Sequence, residues 1–141
     1  MSGSFFDTNV LLYLIGSDDP KSRIAEQLTR QGGNITVQVL NESANVLRRK
    51  KSASWPAVHK FIHDLEVMLE VRPVTHDIHR DGLRLAERYG FAIYDSFIVA
   101  AALAADCDTL WSEDMQAGMV VDGRLTIANP FQTDPPLIPA S

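Results

Sequence analysis

Between Tyr94 and Ala105 the chain reads YDSFIVAAALAA, a helix-length segment with almost no polar side chain. A helix without a solvated face must be covered on most sides, so this one has to run through the middle of the fold. Its lone acid, Asp95, then stands in the first turn, where the helix dipole favours a negative charge.

The segments around it alternate between strand and helix signals. Ser4 to Phe6 predict a short buried strand ending at Asp7, and Val10 to Ile15 suit a first helix. Gly16 to Pro20 break the chain, Lys21 to Gln31 carry Ile24, Ala25 and Leu28 at helical spacing, and Gly32-Gly33 stop that helix. Ile35 to Val37 predict a second strand. A helix from Val39 to Arg49 follows, with Leu40, Ala44 and Leu47 on one face and Glu42 near its start.

After a polar break at Ser52 to Ser54, Ser54 caps a helix from Trp55 to Leu69 with Pro56 in its first turn and Val58, Ile62, Leu65 and Leu69 as its apolar stripe. Val71 to Val74 is a strand candidate. Thr75 caps a helix through Tyr89, with Ile78, Leu85 and Ala86 inward and Gly90 ending it. Thr109 to Trp111 predict a strand running into Ser112-Glu113-Asp114, and Asp122-Gly123 is a turn signal between Val120-Val121 and Leu125 to Ile127. Short strands alternating with helices imply a single α/β domain, its mainly parallel sheet covered by helices on both faces.

A length of 141 residues and 45% apolar content fit one domain with its own core. The longest apolar run, Phe97 to Ala105, is too short to cross a bilayer, and the N-terminus lacks a secretory pattern, so a cytoplasmic protein is expected. Cys107 is the sole cysteine, which excludes an internal disulfide or a multi-cysteine zinc site. A net charge of −5 argues against coating nucleic acid by bulk charge, while leaving room for a nuclease that grips phosphates locally.

Four acids stand out, Asp7 in FFDTNVLLY, Glu42 in VQVLNESANVL, Asp95 in AIYDSFIV and Asp114 in TLWSEDM, and three of them lie at a junction of apolar and polar sequence, where a carboxylate is costly. No Lys or Arg is adjacent in sequence to any of them. In a parallel sheet, sites form beyond the carboxyl ends of strands, which is where Asp7 and Asp114 fall; Asp95 and Glu42, each early in a helix, can face the same crevice. Oxygen donors without His or Cys suit Mg²⁺ or Mn²⁺ rather than zinc. Such an ion lowers the pKa of a water and stabilises charge on phosphoryl and leaving oxygens, so phosphodiester hydrolysis is the chemistry this set predicts.

Taken in order, D-T-N after the first strand, an internal Glu on a helix, Y-D-S before I-V-A-A-A, L-W-S-E-D-M and the closing ANPF at Ala128 to Phe131 resemble the PIN-domain ribonucleases, and especially the VapC toxins of bacterial toxin–antitoxin pairs. That resemblance implies a PIN-like domain over residues 1–131 and a Pro-rich tail over 132–141. It implies catalytic and metal-holding roles for Asp7, Glu42, Asp95 and Asp114 around Mg²⁺ (or Mn²⁺), with Asn9 and Ser112 as polar supports. Glu113 offers a second carboxylate beside Asp114, and the family pattern selects Asp114. RNA as substrate, a cognate antitoxin as partner and a homodimer are further implications, and a PIN protein of RNA processing without an antitoxin is the alternative.

Other readings lose a required group. A haloacid-dehalogenase-type phosphatase needs a second Asp two residues after the first, where this chain has Asn9; a phosphate-accepting receiver module needs an adjacent early acid pair and a late Lys, and none follows Lys60. A PIN-fold protein that only binds partners would be expected to lack some of the acids. The run Arg48 to Lys51 reads as the dipole complement of a helix C-terminus, slightly ahead of a phosphate-steering role. His59, His63, His76 and His79 read as solvated faces. Trp55, Phe61 and Met68 read as residues of a helix interface, within the chain or between two subunits, rather than base-stacking ones.

Overall fold

The computed structural model describes residues 3–15 and 19–132. Strand β1 (Gly3–Phe6) leads into α1 (Thr8–Leu11), which tightens into a 3-10 helix at Leu12–Leu14. Then come α2 (Pro20–Arg30), β2 (Asn34–Thr36), α3 (Val37–Arg49), α4 (Trp55–Met68), β3 (Glu70–Arg72), α5 (His76–Tyr89), α6 (Ile93–Ala104), β4 (Cys107–Trp111), β5 (Val120–Val121) and β6 (Leu125–Ala128). The sheet runs β3-β2-β1-β4-β6-β5, with every neighbouring pair parallel except β5 and β6. From β1 the chain builds outward through β2 to β3 and then returns to add β4 on the other side of β1. That reversal opens a crevice beyond the carboxyl ends of β1 and β4, the place where open α/β sheets bind ligands.

The expected α/β class is therefore the observed one. Helix α6 is buried along Ser96 and Ile98 to Leu103, while Ile93 and Tyr94 at its start are exposed. Burying Ile98, Val99 and Leu103 stabilises the fold by about 1.5–3 kcal/mol each. Its packing on α5 is close enough to require glycine: a Cβ at Gly82 would lie 2.4 Å from Cδ1 of Phe97. The caps also follow the sequence. Ser54 accepts from the Ala57 N–H, Thr75 from the Ile78 N–H, and Gly90 ends α5 in the left-handed region. At Asp122 and Gly123 φ is positive at both residues of a turn closed by the Arg124 N–H on the Val121 carbonyl at 3.1 Å, and Asp122, Gly123 and Arg124 join the antiparallel pair β5 and β6.

Several boundaries differ from those expected. The first helix starts at Thr8 rather than Val10, because the Asp7 carboxylate accepts from the Thr8 N–H and caps it. The second strand ends at Thr36 and α3 begins at once with Val37, so the expected strand residue Val37 is helical and exposed. Strand β3 lies at Glu70–Arg72 instead of Val71 to Val74, held there by parallel pairing of Asn34, Ile35 and Thr36 with Glu70, Val71 and Arg72. In α3 the buried residues are Val39, Ser43 and Leu47, while Leu40 and Ala44 of the expected face are partly buried, Leu40 against the core. Residues 16–18 of the expected break and 133–141 of the expected tail lie outside the described residues. Among the described residues no helix is long and apolar enough to cross a membrane.

Candidate active site

Asp7 follows the last residue of β1, and its N–H donates to the carbonyl of Trp111, the last residue of β4, at 2.9 Å. That bond aligns the two strand ends and brings Ser112, next along from β4, against the Asp7 side chain. The Ser112 hydroxyl donates to Asp7 Oδ2 at 2.8 Å and accepts from the Met115 N–H at 3.2 Å. The Thr8 N–H donates to Asp7 Oδ1 at 2.7 Å, and the Asn9 amide approaches Oδ2 at 3.4 Å. The carboxyl is 7% exposed. Burial pushes its pKa up to about 6; the Ser112 and Thr8 hydrogen bonds oppose that rise, and the nearby Asp95 and Glu42 charges add to it.

Glu42 sits on α3, where Val37 to Arg49 begin directly after β2 and so carry that helix across the same sheet edge. The Thr8 hydroxyl donates to Glu42 Oε1 at 2.6 Å, and the Gln38 amide, one turn earlier on α3, donates to Oε2 at 3.2 Å. Thr8 thus ties two acids together, its N–H to Asp7 and its hydroxyl to Glu42. Asp95 stands in the first turn of α6, partly buried, with its pKa raised by burial and by the charges of Glu42 and Asp114. Asp114 is exposed on the turn after β4. All four acids line one cavity of about 620 Å³, together with Thr8, Asn9, Leu12, Tyr13, Asn45, Val46, Lys50, Lys51 and Glu113.

The set is oxygen-only and electrostatically strained, since each raised pKa includes repulsion from a neighbouring acid. Its chemistry fits a hard divalent ion in kind and in charge. Among the described residues, however, no three His, Cys, Asp or Glu side chains are gathered tightly enough to hold a metal ion as they stand.

A family model for the PIN domain matches residues 4–117. The chain belongs to the PIN-domain family. Among solved structures, a toxin–antitoxin complex from Klebsiella pneumoniae is similar at a TM-score of 0.69 and 17% identity, over 92% of this chain and 98% of that one. VapC20 of Mycobacterium tuberculosis, a toxin cleaving the sarcin–ricin loop, is similar at 0.63 and 18%, over 76% and 86%. VapBC2 of Rickettsia felis, bound to a DNA fragment from its promoter, is similar at 0.67 and 18%, over 89% and 97%. At such identities these likenesses establish the fold. No curated protein matches the sequence significantly.

The other polar residues of this PIN domain sort by their partners. Glu113 turns to the side: its Oε2 lies 2.6 Å from Lys21 Nζ and its Oε1 accepts from the Tyr13 hydroxyl at 2.8 Å, while Phe131 packs edge-on against Tyr13 at 4.8 Å. The Glu113 charge is therefore compensated by Lys21, whereas among the described residues Asp114 has no ion pair. Asn9 supports both ends of the cavity, since besides approaching Asp7 its carbonyl oxygen accepts from the Glu113 N–H at 3.1 Å. Ser112 is fully buried and reaches the cavity only through Asp7.

Two features escaped the sequence reading. Lys50 and Lys51 line the cavity, so the absence of basic neighbours held only along the chain. Thr8, Tyr13 and Lys21 carry no signal by themselves, because their partners lie 34, 100 and 92 positions away. All four histidines are exposed, as expected. Trp55 is 56% exposed, so within the single chain it is only partly packed.

Proposed function

We propose that this PIN domain is a metal-dependent endoribonuclease that hydrolyses RNA phosphodiester bonds, with Asp7, Glu42, Asp95 and Asp114 as its catalytic and metal-holding set. The observation that carries the reading is that carboxylates from four separate stretches of a PIN-family chain line one cavity. A Mg²⁺ or Mn²⁺ ion bound there supplies a water of lowered pKa and neutralises charge developing on the phosphoryl and leaving oxygens.

The chain's own groups divide the remaining work. Ser112 and the Thr8 N–H hold the two Asp7 oxygens in fixed directions and favour the charged form against burial. The Thr8 hydroxyl and the Gln38 amide each donate to one Glu42 oxygen and so orient that carboxylate. Asn9 fixes the backbone that presents Asp114, through the Glu113 N–H.

We further infer that the chain is the toxin of a VapBC-type pair, working as a homodimer in the cytoplasm and silenced by an antitoxin. Support comes from the family, from its likeness in fold to two toxin–antitoxin assemblies and a VapC toxin, and from the order of its motifs. The test is incubation of purified protein with structured RNA and Mg²⁺ or Mn²⁺ beside an Asp7→Ala variant. Cleavage that needs both the metal and Asp7 is the expected result. Cleavage that persists in the variant at the wild-type rate would place the activity elsewhere.

A further inference from the structure

The cavity has two chemically different sides. Around its floor are the acids; beyond the C-terminal end of α3 are Lys50 and Lys51, both lining it and both exposed. Among the described residues neither ammonium is engaged in an ion pair. These two are part of the run Arg48-Arg49-Lys50-Lys51, four of only thirteen Lys and Arg residues in a chain of net charge −5. Positive charge is therefore concentrated at one rim of an otherwise acidic site.

Arg48 points elsewhere, and usefully. Its guanidinium carbon lies 4.3 Å from the centre of the Trp55 ring, and Nη1 donates to the Ala53 carbonyl at 2.9 Å. The Ala53 N–H in turn donates to the Leu47 carbonyl at 3.0 Å, tying the turn between α3 and α4 to the end of α3. Trp55 is thus held on one side by a cation, within a braced turn, while 56% of it stays open to solvent. A large aromatic ring left exposed and backed by Arg is what single-stranded nucleic acid uses as a stacking platform, and adjoining lysines are what its phosphates use.

From Glu42 to Lys50 along α3 is a rise of about 12 Å, so the lysines stand at the far end of the helix that carries Glu42. We propose that Lys50 and Lys51 with the Arg48-backed Trp55 form a track for single-stranded RNA leading out of the acidic cavity, the lysines on phosphates one or two nucleotides from the cut and Trp55 stacked on a base beyond them. This rests on the ribonuclease reading given above and adds to it where the flanking strand lies. An exposed indole together with two lysines matches a strand that carries both bases and phosphates.

The test measures binding of a fluorescent single-stranded RNA oligonucleotide by anisotropy, with chelator present so that nothing is cut, across a series of salt concentrations. Lys50→Gln with Lys51→Gln should weaken binding about tenfold and lower the slope of log affinity against log salt by about 1.4, at about 0.7 for each phosphate contact to a single strand. Trp55→Ala should weaken binding at least fivefold and leave that slope unchanged, with Trp55→Phe restoring most of the affinity. Melting curves of these exposed-site variants confirm that each is folded.

If wild type binds and all variants bind equally well, the track is wrong and the ribonuclease reading stands. If wild type neither binds nor cuts any RNA, both fall together. If Trp55→Ala dissociates a dimer in sedimentation while RNA affinity is unchanged, this face is an interface between copies and the proposal is overturned.

Discussion

Replacing Asp7 by Asn should stabilise the metal-free protein, and only above about pH 5. Folding holds the Asp7 carboxyl at a pKa of about 6, against 3.8 for an ordinary aspartate, because it is buried and faces other acids. Below pH 3.8 the group is protonated in both the folded and the unfolded chain, so folding suffers no penalty. As pH rises from 3.8 towards 6 the unfolded chain ionises first, and the folded state loses stability until its own carboxyl has ionised.

The full loss is about 2.2 pKa units, or about 3 kcal/mol by pH 7.5. At pH 4 it has shrunk to less than about 1 kcal/mol by the same linkage. Asn cannot ionise, but its amide would present N–H groups toward Ser112 and Asn9, where Asp7 now accepts. Disturbing that arrangement costs about 1 kcal/mol. The net gain for Asp7→Asn is then about 2 kcal/mol at pH 7.5, reversing to a small loss at pH 4. Scaled to a domain of this size, that is a rise of about 5–10 °C in melting temperature near neutral pH. Thermal melts of both proteins in chelator from pH 4 to 8 read it directly. A variant that is destabilised equally at every pH would show that the carboxylate carries no electrostatic strain.

Millimolar Mn²⁺ should raise the melting temperature of the wild type and leave Asp7→Ala unmoved, since an ion bound to the native acids shifts unfolding by mass action; equal shifts would place the binding outside the cavity. Asp114→Asn should reduce RNA cleavage at least a hundredfold, whereas Glu113→Gln, which removes an ion pair with Lys21 rather than an unpaired acid, should cost less than about tenfold; reversed effects in a cleavage assay would exchange their roles. Gly82→Ala should lower stability by about 1–3 kcal/mol, because its Cβ would meet Phe97 at 2.4 Å between α5 and α6; an unchanged urea midpoint would mean that the two helices separate freely. Thr8→Val keeps the Asp7 cap but removes the hydroxyl that holds Glu42 at 2.6 Å, so activity should drop while melting changes little.

Much of this was legible in the sequence because a few physical demands are local. A helix as apolar as α6 has to be central, an Asp after a short apolar strand has to turn or cap, and positive φ at Asp122 and Gly123 is written as D-G. The same demands fail at boundaries. Val37 has strand propensity, yet tertiary pairing ends β2 at Thr36 and the helix starts at once.

Within the site, Asp7 and Asp95 announce themselves because each stands where burial makes a charge costly. Their supports do not: Thr8, Tyr13 and Lys21 are unremarkable residues whose partners are distant in sequence. Lys50 and Lys51 illustrate the limit best. A basic run at the end of a helix satisfies the dipole wherever it points, and only the fold aims two of its members into an acidic cavity.

The account stands on the convergence of Asp7, Glu42, Asp95 and Asp114 upon a divalent ion. Crystals soaked in Mn²⁺ and recorded at its absorption edge test that without any assay of activity. An anomalous peak within coordination distance of Asp7 and Asp95, flanked by Glu42 or Asp114, is the predicted outcome. A peak at the histidines of α5 instead, or none at the cavity under saturating Mn²⁺, would contradict it.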